Sequence, residues 1–387
     1  MAREKGHFRR ARSLLIVSAL AITATCAAAT TSNAQSSTPR SSAASGPPCK
    51  SSFNPYHYTQ AQVKACGYST YPMLAAADMA GGGSSVVYDM NGMTVTNLIP
   101  PPGFRPETAS AAQLDEYGFP PRPAAGAALA AWEKEMSGWT GAAPPTSFLA
   151  ETHTKVVADT ETTANWAGYV VTAQSNSLYW FSQAEGWYTE PTFASSRCSS
   201  TSEVTWAGLG GYASYSGSYL AQNGTAWNSD GADNHQAWWE IVPHNNLTVI
   251  GYYATPDQEM DVSTRNITDG FRFWFYNFEG TSMAFDVTKY GDFPLAQSAE
   301  VVIERPQVNK VYTNLANFQT LYVDGAAAAE QGNSEISMDN FPPNLNTSTG
   351  LWRHGVHMVS NTTGHDLADP TDIYSGGAFD VTQRSCN

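Results

Sequence analysis

Two carboxylates stand four positions apart in the stretch Ser298-Ala299-Glu300-Val301-Val302-Ile303-Glu304-Arg305-Pro306. Read as a strand, its side chains alternate, so Glu300, Val302 and Glu304 share one face and Val301 and Ile303 the other. A carboxylate on an apolar face can take a proton from water or return one to a leaving group. The plainer reading is an edge strand whose acids deter pairing, and on this stretch alone it stands ahead of catalysis. A second stretch, Gln236-Ala237-Trp238-Trp239-Glu240, puts Gln236, Trp238 and Glu240 on one face. That row suits the wall of a substrate cleft, and equally a core Trp238 beside a satisfied buried acid.

Other chemistries find little support. There is no G-x-S-x-G, no H-E-x-x-H and no phosphate-binding Walker loop. His354 and His357 are spaced to touch a metal, but no Cys or further His stands at ligand spacing, and solvated loop residues are the simpler reading. No metal or cofactor is expected.

The elements that must position these residues follow from composition. The chain has 387 residues, 14% charged and 12% aromatic, with a net charge of −14. Low charge with many aromatic and turn residues suits an extracellular all-β protein. The acidity argues against nucleic acid or an anionic membrane as partner. Residues 1–34 read as a secretory signal, with Arg3, Lys5, Arg9, Arg10 and Arg12 ahead of an apolar run over 14–22. The chain is therefore expected to be secreted. Cys26 leaves with the signal, and Cys49, Cys66, Cys198 and Cys386 remain for disulfides. Their grouping suggests Cys49–Cys66 and Cys198–Cys386, one of three connectivities.

Residues 35–160 read as a leader: a Ser/Pro/Ala-rich linker over 35–55, then a region with helices expected over 110–117 and 124–136 and nearly free of β-alternation. From Asn165 the texture becomes short aromatic and β-branched runs, among them 169–172, 204–209, 237–242, 271–278, 301–304 and 379–382, separated by turn residues. Strands so spaced without helices predict a sandwich or barrel over 161–387. Residues 161–387 hold 24 Asp and Glu against 8 Lys and Arg. A basic front half ahead of this acidic domain suggests a propeptide docked by charge through Arg105, Arg122 and Lys155 and released in acid; two ordinary linked domains fit the same pattern.

Five ordered stretches then carry a family resemblance: Asn165-Trp166-Ala167-Gly168, Trp206-Ala207-Gly208, Leu220-Ala221-Gln222-Asn223-Gly224, Ala237-Trp238-Trp239-Glu240 and Ala299-Glu300 through Glu304. Together they resemble the glutamic peptidases (eqolisins, family G1), in the bacterial-type branch, from about Asn165 to the C-terminus. The resemblance implies a β-sandwich of two antiparallel sheets, jelly-roll or concanavalin-like, with Gln222 and Glu300 as catalytic pair. Trp166, Trp206, Trp238, Glu240, Gln236 and Glu304 then fall where substrate is gripped. The implied protein is an acid-acting, metal-independent endopeptidase on polypeptides, a monomer made as a zymogen whose propeptide inhibits it. Near its reference pKa of about 4.3, Glu300 would serve as base in mild acid, where a His is protonated.

Some positions depart from the family pattern. Leu209-Gly210-Gly211 lacks an acid, Gln236 stands where an Asp is usual, Ala226 where another acid sits, and Val301 where Trp is common. Two other classes compete: a carbohydrate-binding or glycan-cleaving sandwich, which would want a second acid where Gln222 stands, and a non-catalytic binding module.

Overall fold

Alternation of apolar residues with a period of two builds two antiparallel sheets. The computed structural model describes residues 69–387 apart from 71–72, 91, 144–148, 151–161, 175–178, 195–200, 213–218, 229–234, 246, 289–295, 309–310, 331–332 and 347. The principal elements in chain order are β1 (Met73–Asp78), β2 (Ser84–Met90), β3 (Met93–Ile99), α1 (Ala111–Glu116), α2 (Gly126–Gly138), β4 (Trp166–Ala173), β5 (Phe181–Thr189), β6 (Thr201–Gly210) and β7 (Leu220–Asn228). They continue with β8 (His235–Val242), β9 (Thr248–Ala254), β10 (Glu259–Ile267), β11 (Gly270–Asn277), β12 (Thr281–Thr288), β13 (Ser298–Glu304), β14 (Thr320–Glu330), β15 (Leu351–Val359), β16 (Asp366–Pro370) and β17 (Phe379–Gln383).

The first sheet runs β9-β8-β7-β6-β13-β4-β15, with Leu149–Ala150 added outside β9. The second runs β1-β2-β3-β12-β11-β10-β5-β14-β17-β16. Strand β15 joins them, pairing first with β4 and then, at Met358 and Val359, with β16. The all-β sandwich expected from the sequence is thus present, and the runs at 169–172, 204–209, 237–242, 271–278, 301–304 and 379–382 fall on its strands, except that Phe278 lies in the turn after β11.

Three apolar layers follow from the alternation. Between the sheets lie Ala207, Leu209, Trp239, Val301 and Ile303 from the first and Val262, Phe271, Phe273, Phe275 and Phe285 from the second. On the outer face of the first sheet lie Trp166, Val170, Trp206, Trp238 and Val302. On the outer face of the second, Trp274, Tyr276 and Ala284 meet Leu114, Tyr117, Phe119, Trp132 and Met136 from the region ahead of the sandwich. Strand β13 is therefore central and buried on both faces, not an edge strand.

The two expected helices are found, displaced by one or two residues. Ser110 caps α1 through a reciprocal pair with Gln113, in which the Gln113 N–H donates to Ser110 Oγ and the Ser110 N–H to Gln113 Oε1. On α2, the i, i+3, i+4 spacing turns Trp132, Glu135 and Met136 inward. The expectation of little β-structure ahead of the sandwich is overturned. Strands β1 to β3 form a meander there, and β3 pairs residues 94–98 with 284–288 of β12. The alternating Met93-Thr94-Val95-Thr96 was the signal for it.

Candidate active site

Strand register brings Glu300 and Gln222 to one place. Both stand opposite Gly208 of β6, Glu300 from β13 on one side and Gln222 from β7 on the other. Cross-strand partners share a face, so the row continues from Gln222 to Glu240 of β8, and from Glu300 through Val170 to His354. Two strand spacings separate the backbones of Glu300 and Gln222 by about 10 Å. Gly208 carries no side chain between them, and the edge of the Trp206 ring packs over it instead. A Cβ at Gly208 would come within 2.8 Å of Trp206 Cζ3, 2.9 Å of the Ala221 carbonyl oxygen and 3.1 Å of Gln222 Cβ. Glycine in mid-strand here marks a close approach.

The pair is shielded from solvent, with Glu300 0% and Gln222 4% exposed. Burial pushes the Glu300 carboxyl well above the usual carboxylate range, against the smaller pull of the Ser298 hydroxyl and the Tyr212 backbone N–H. Among the described residues neither Glu300 oxygen accepts a hydrogen bond of normal geometry. Gln222 is held differently: its Nε2 donates to Glu240 Oε2 at 2.9 Å. Burial first, and then the Glu304 charge, raises Glu240 to about 8, while the Gln222 and Leu247 hydrogen bonds pull it down.

The neighbouring rows hold the other residues singled out from the sequence. Trp206, Gly224 and Trp238 lie in the next row, and Glu304, Val204, Ala226 and Gln236 in the one beyond. Trp166 stands opposite Glu304 and meets Trp206 edge-to-face at 4.9 Å. Both Glu304 oxygens are engaged within the protein, by Asn165 Nδ2 at 3.0 Å and Trp206 Nε1 at 2.9 Å. The indole N–H groups of Trp166 and Trp238 are buried with no acceptor among the described residues. Gln236 is half-buried at the margin.

The departures from the family pattern sort by face. Val301 points into the core between the sheets and does not reach the site. Gly210 and Gly211 have φ of 84° and 96°, a backbone that a side chain would strain. They turn the chain so that the Tyr212 N–H meets Glu300, a role the sequence did not disclose, nor did it disclose those of Ser298 and Asn165. His354 and His357 are strand residues, not the loop residues expected, because β15 pairs through them with β4 and its neighbours; they lie on opposite faces, His354 contacting Thr172 Oγ1 through Nε2 at 3.0 Å and His357 pairing with Asp369. Cys386 is disulfide-bonded. Cys49, Cys66 and Cys198 lie outside the described residues.

With this geometry in view, comparison with known proteins gives a family. Residues 164–365, more than half of the chain, match the Peptidase A4 family. The chain belongs to that family, the glutamic peptidases its motifs resemble, and is a peptidase. Two solved structures are similar to part of the chain: scytalido-glutamic peptidase with a peptide-based transition-state analogue, and SCP-B, an eqolisin in complex with the tripeptide Ala-Ile-His. The first is 16% identical, with a TM-score of 0.45 over 57% of this chain and 98% of that one. The second is 15% identical, with a TM-score of 0.43 over the same shares. Curated proteins give no match.

Proposed function

We propose that this peptidase hydrolyses peptide bonds by the glutamic mechanism, with Glu300 as general base and acid and Gln222 as oxyanion donor. The observation that carries the reading is their shared register against Gly208. The Glu300 carboxylate takes a proton from water as the water oxygen attacks the scissile carbonyl carbon. A Gln222 N–H donates to the oxygen on which negative charge develops. When the tetrahedral intermediate collapses, the C–N bond breaks and Glu300 returns the proton to the departing nitrogen. The scheme uses no covalent intermediate and no metal.

Glu240 positions the amide. While ionised it accepts one Gln222 N–H and leaves the other for substrate. Once protonated, it can donate to Gln222 Oε1 and turn the whole NH₂ toward substrate; its raised pKa of about 8 favours this arrangement in acid. Burial of Glu300 shifts the sequence-based expectation of a base near its reference value. In this shielded arrangement the carboxyl holds its proton in acid. A form open to substrate hydrates the carboxyl and lowers its pKa, so the acid limb of the pH–rate profile should report Glu300.

The flanking Trp166, Trp206 and Trp238 would seat an extended peptide, with their aromatic area holding side chains and the indole N–H groups of Trp166 and Trp238 meeting main-chain carbonyls. Secretion under the residue 1–34 signal, a monomeric state, the Cys198–Cys386 and Cys49–Cys66 bridges and acid action belong to the same proposal. The test is cleavage of an unfolded protein substrate in acid by wild type, Glu300→Gln and Gln222→Ala. Retained activity in Glu300→Gln would refute the assignment.

A further inference from the structure

Residues 73–142 lie on the far side of the sandwich from the candidate site. Strand β3 closes the open edge of β12, with Asn97 Nδ2 donating to the Ala284 carbonyl at 3.0 Å, and residues 141–142 pair with the start of β12. Helices α1 and α2 cover the outer face of the second sheet, whose Trp274 and Tyr276 they bury. Polar groups fix the register. Asp115 of α1 is gripped by Arg265 Nη2 at 2.6 Å and Arg272 Nη1 at 2.9 Å. Trp139 Nε1 donates to Ser282 Oγ at 2.8 Å, and the Tyr276 hydroxyl to the Glu135 carbonyl at 3.2 Å.

The charge logic reverses the sequence expectation. Arg105 pairs with Glu107 at the surface, and Arg122 bonds the Pro106 and Glu107 carbonyls beneath Trp132, so both are used within the leader. Lys155 lies outside the described residues. The docking charges are instead an acid on the leader and two arginines on the sandwich.

We propose that residues 73–142 are a permanent structural part of the working peptidase, docked behind its active face and held most tightly in acid, not a leader that must leave. The proposal rests on the Glu300 face being the active one. Removal would open the β12 edge and bare Trp274 and Tyr276, an association-prone surface. It would also strand Arg272 with Asp286 alone beside Arg265.

A carboxyl cluster supplies the acid dependence. Glu135 of α2 faces Asp261 of β10, and Glu185 of β5 faces Glu335 ahead of the Met338–Asn340 turn. Carboxyl pairs share a hydrogen bond only while one of them is protonated. Facing them are Arg265, the Trp274 Nε1 donor to Asp261, the Gln183 Nε2 donor to Glu185 and the Tyr276 hydroxyl; Arg272, Asp115 and Asp286 lie beyond. Glu133 and Lys134 face solvent. Burial raises Glu135 to about 8 and Glu185 to about 7, so the cluster is proton-rich in acid and repulsive once alkaline.

The full chain is incubated in acid until activity is constant and passed over a sizing column, and active fractions are read by intact mass. Residues 73–142 are expected in the active peak one-to-one, as unbroken chain or as a bound fragment. An active peak lacking them overturns the proposal. If no fraction is active, the proposed mechanism fails, and thermal unfolding still decides this one. Asp115→Ala and Arg272→Ala are expected to lower a single transition by roughly 2–4 °C near neutral pH and by no more than that at pH 4, with Arg105→Ala unchanged. Two separate transitions at pH 4, or no shift in either variant, would overturn it.

Discussion

Gly208 does for the proposed dyad what no side chain can: it lets the Trp206 ring lie against the backbone between Glu300 and Gln222. Gly208→Ala places a methyl 2.9 Å from a backbone oxygen and 2.8 Å from the Trp206 ring, and the backbone cannot yield as a flexible side chain would. A cost of roughly 1–3 kcal/mol is expected from such overpacking. The loss of kcat should exceed that of stability, because the methyl stands between the two residues of the proposed dyad. Initial rates and a urea melt on the same preparation check this; full activity in a folded Gly208→Ala variant would contradict the site. Glu240→Ala frees the Gln222 amide and should lower kcat more than it raises KM, whereas Glu240→Gln, which can still accept or donate, should retain most activity.

At the scale of elements, Glu304 ties three strands. It stands on β13 and accepts from Trp206 on β6 and from Asn165 just ahead of β4. Glu304→Ala leaves two buried donors unpaired, at a cost of roughly 1–3 kcal/mol, and should lower the melting temperature. A melting temperature equal to wild type would show that the tether contributes nothing. The strands that flank the dyad were legible in the sequence because their apolar alternation is strong, and Gln222, Glu300 and the three tryptophans stood in ordered motifs. What was not legible was register. That Gly208 faces both residues of the proposed dyad depends on pairing between β6, β7 and β13, far apart in sequence. Tyr212 and Ser298 escaped notice for the same reason, since their contact with Glu300 comes from backbone path and not residue type. The meander β1–β3 was hidden by the Gly- and Pro-rich residues around it.

The whole molecule carries buried acids whose protonation ties stability to pH. Burial raises Glu135, Glu203 and Glu240 to about 8 and Glu185 to about 7. A folded pKa above the unfolded one means that the folded state holds more protons between the two values. The stability these groups confer is therefore full below about pH 4.5, falls as pH rises, and is lost once pH passes about 8. His235 acts in the same direction: burial lowers it, but Glu190 beside it outweighs burial and raises it. The melting temperature should be highest in acid and decline from pH 5 to pH 8.5. A maximum near pH 8 would contradict this account. Acid stability of this kind would suit the acid action proposed above.

The central claim is that Glu300 and Gln222 together hydrolyse the peptide bond. Its most direct test is the steady-state rate of acid cleavage of an unfolded protein by wild type, Glu300→Gln and Gln222→Ala, each first shown to be folded. Loss of Glu300 should cost roughly 10²–10⁴-fold as loss of general acid–base catalysis, and loss of Gln222 roughly 10²–10³-fold as loss of an oxyanion donor. A folded Glu300→Gln variant that cleaves within a few-fold of wild type would contradict the assignment.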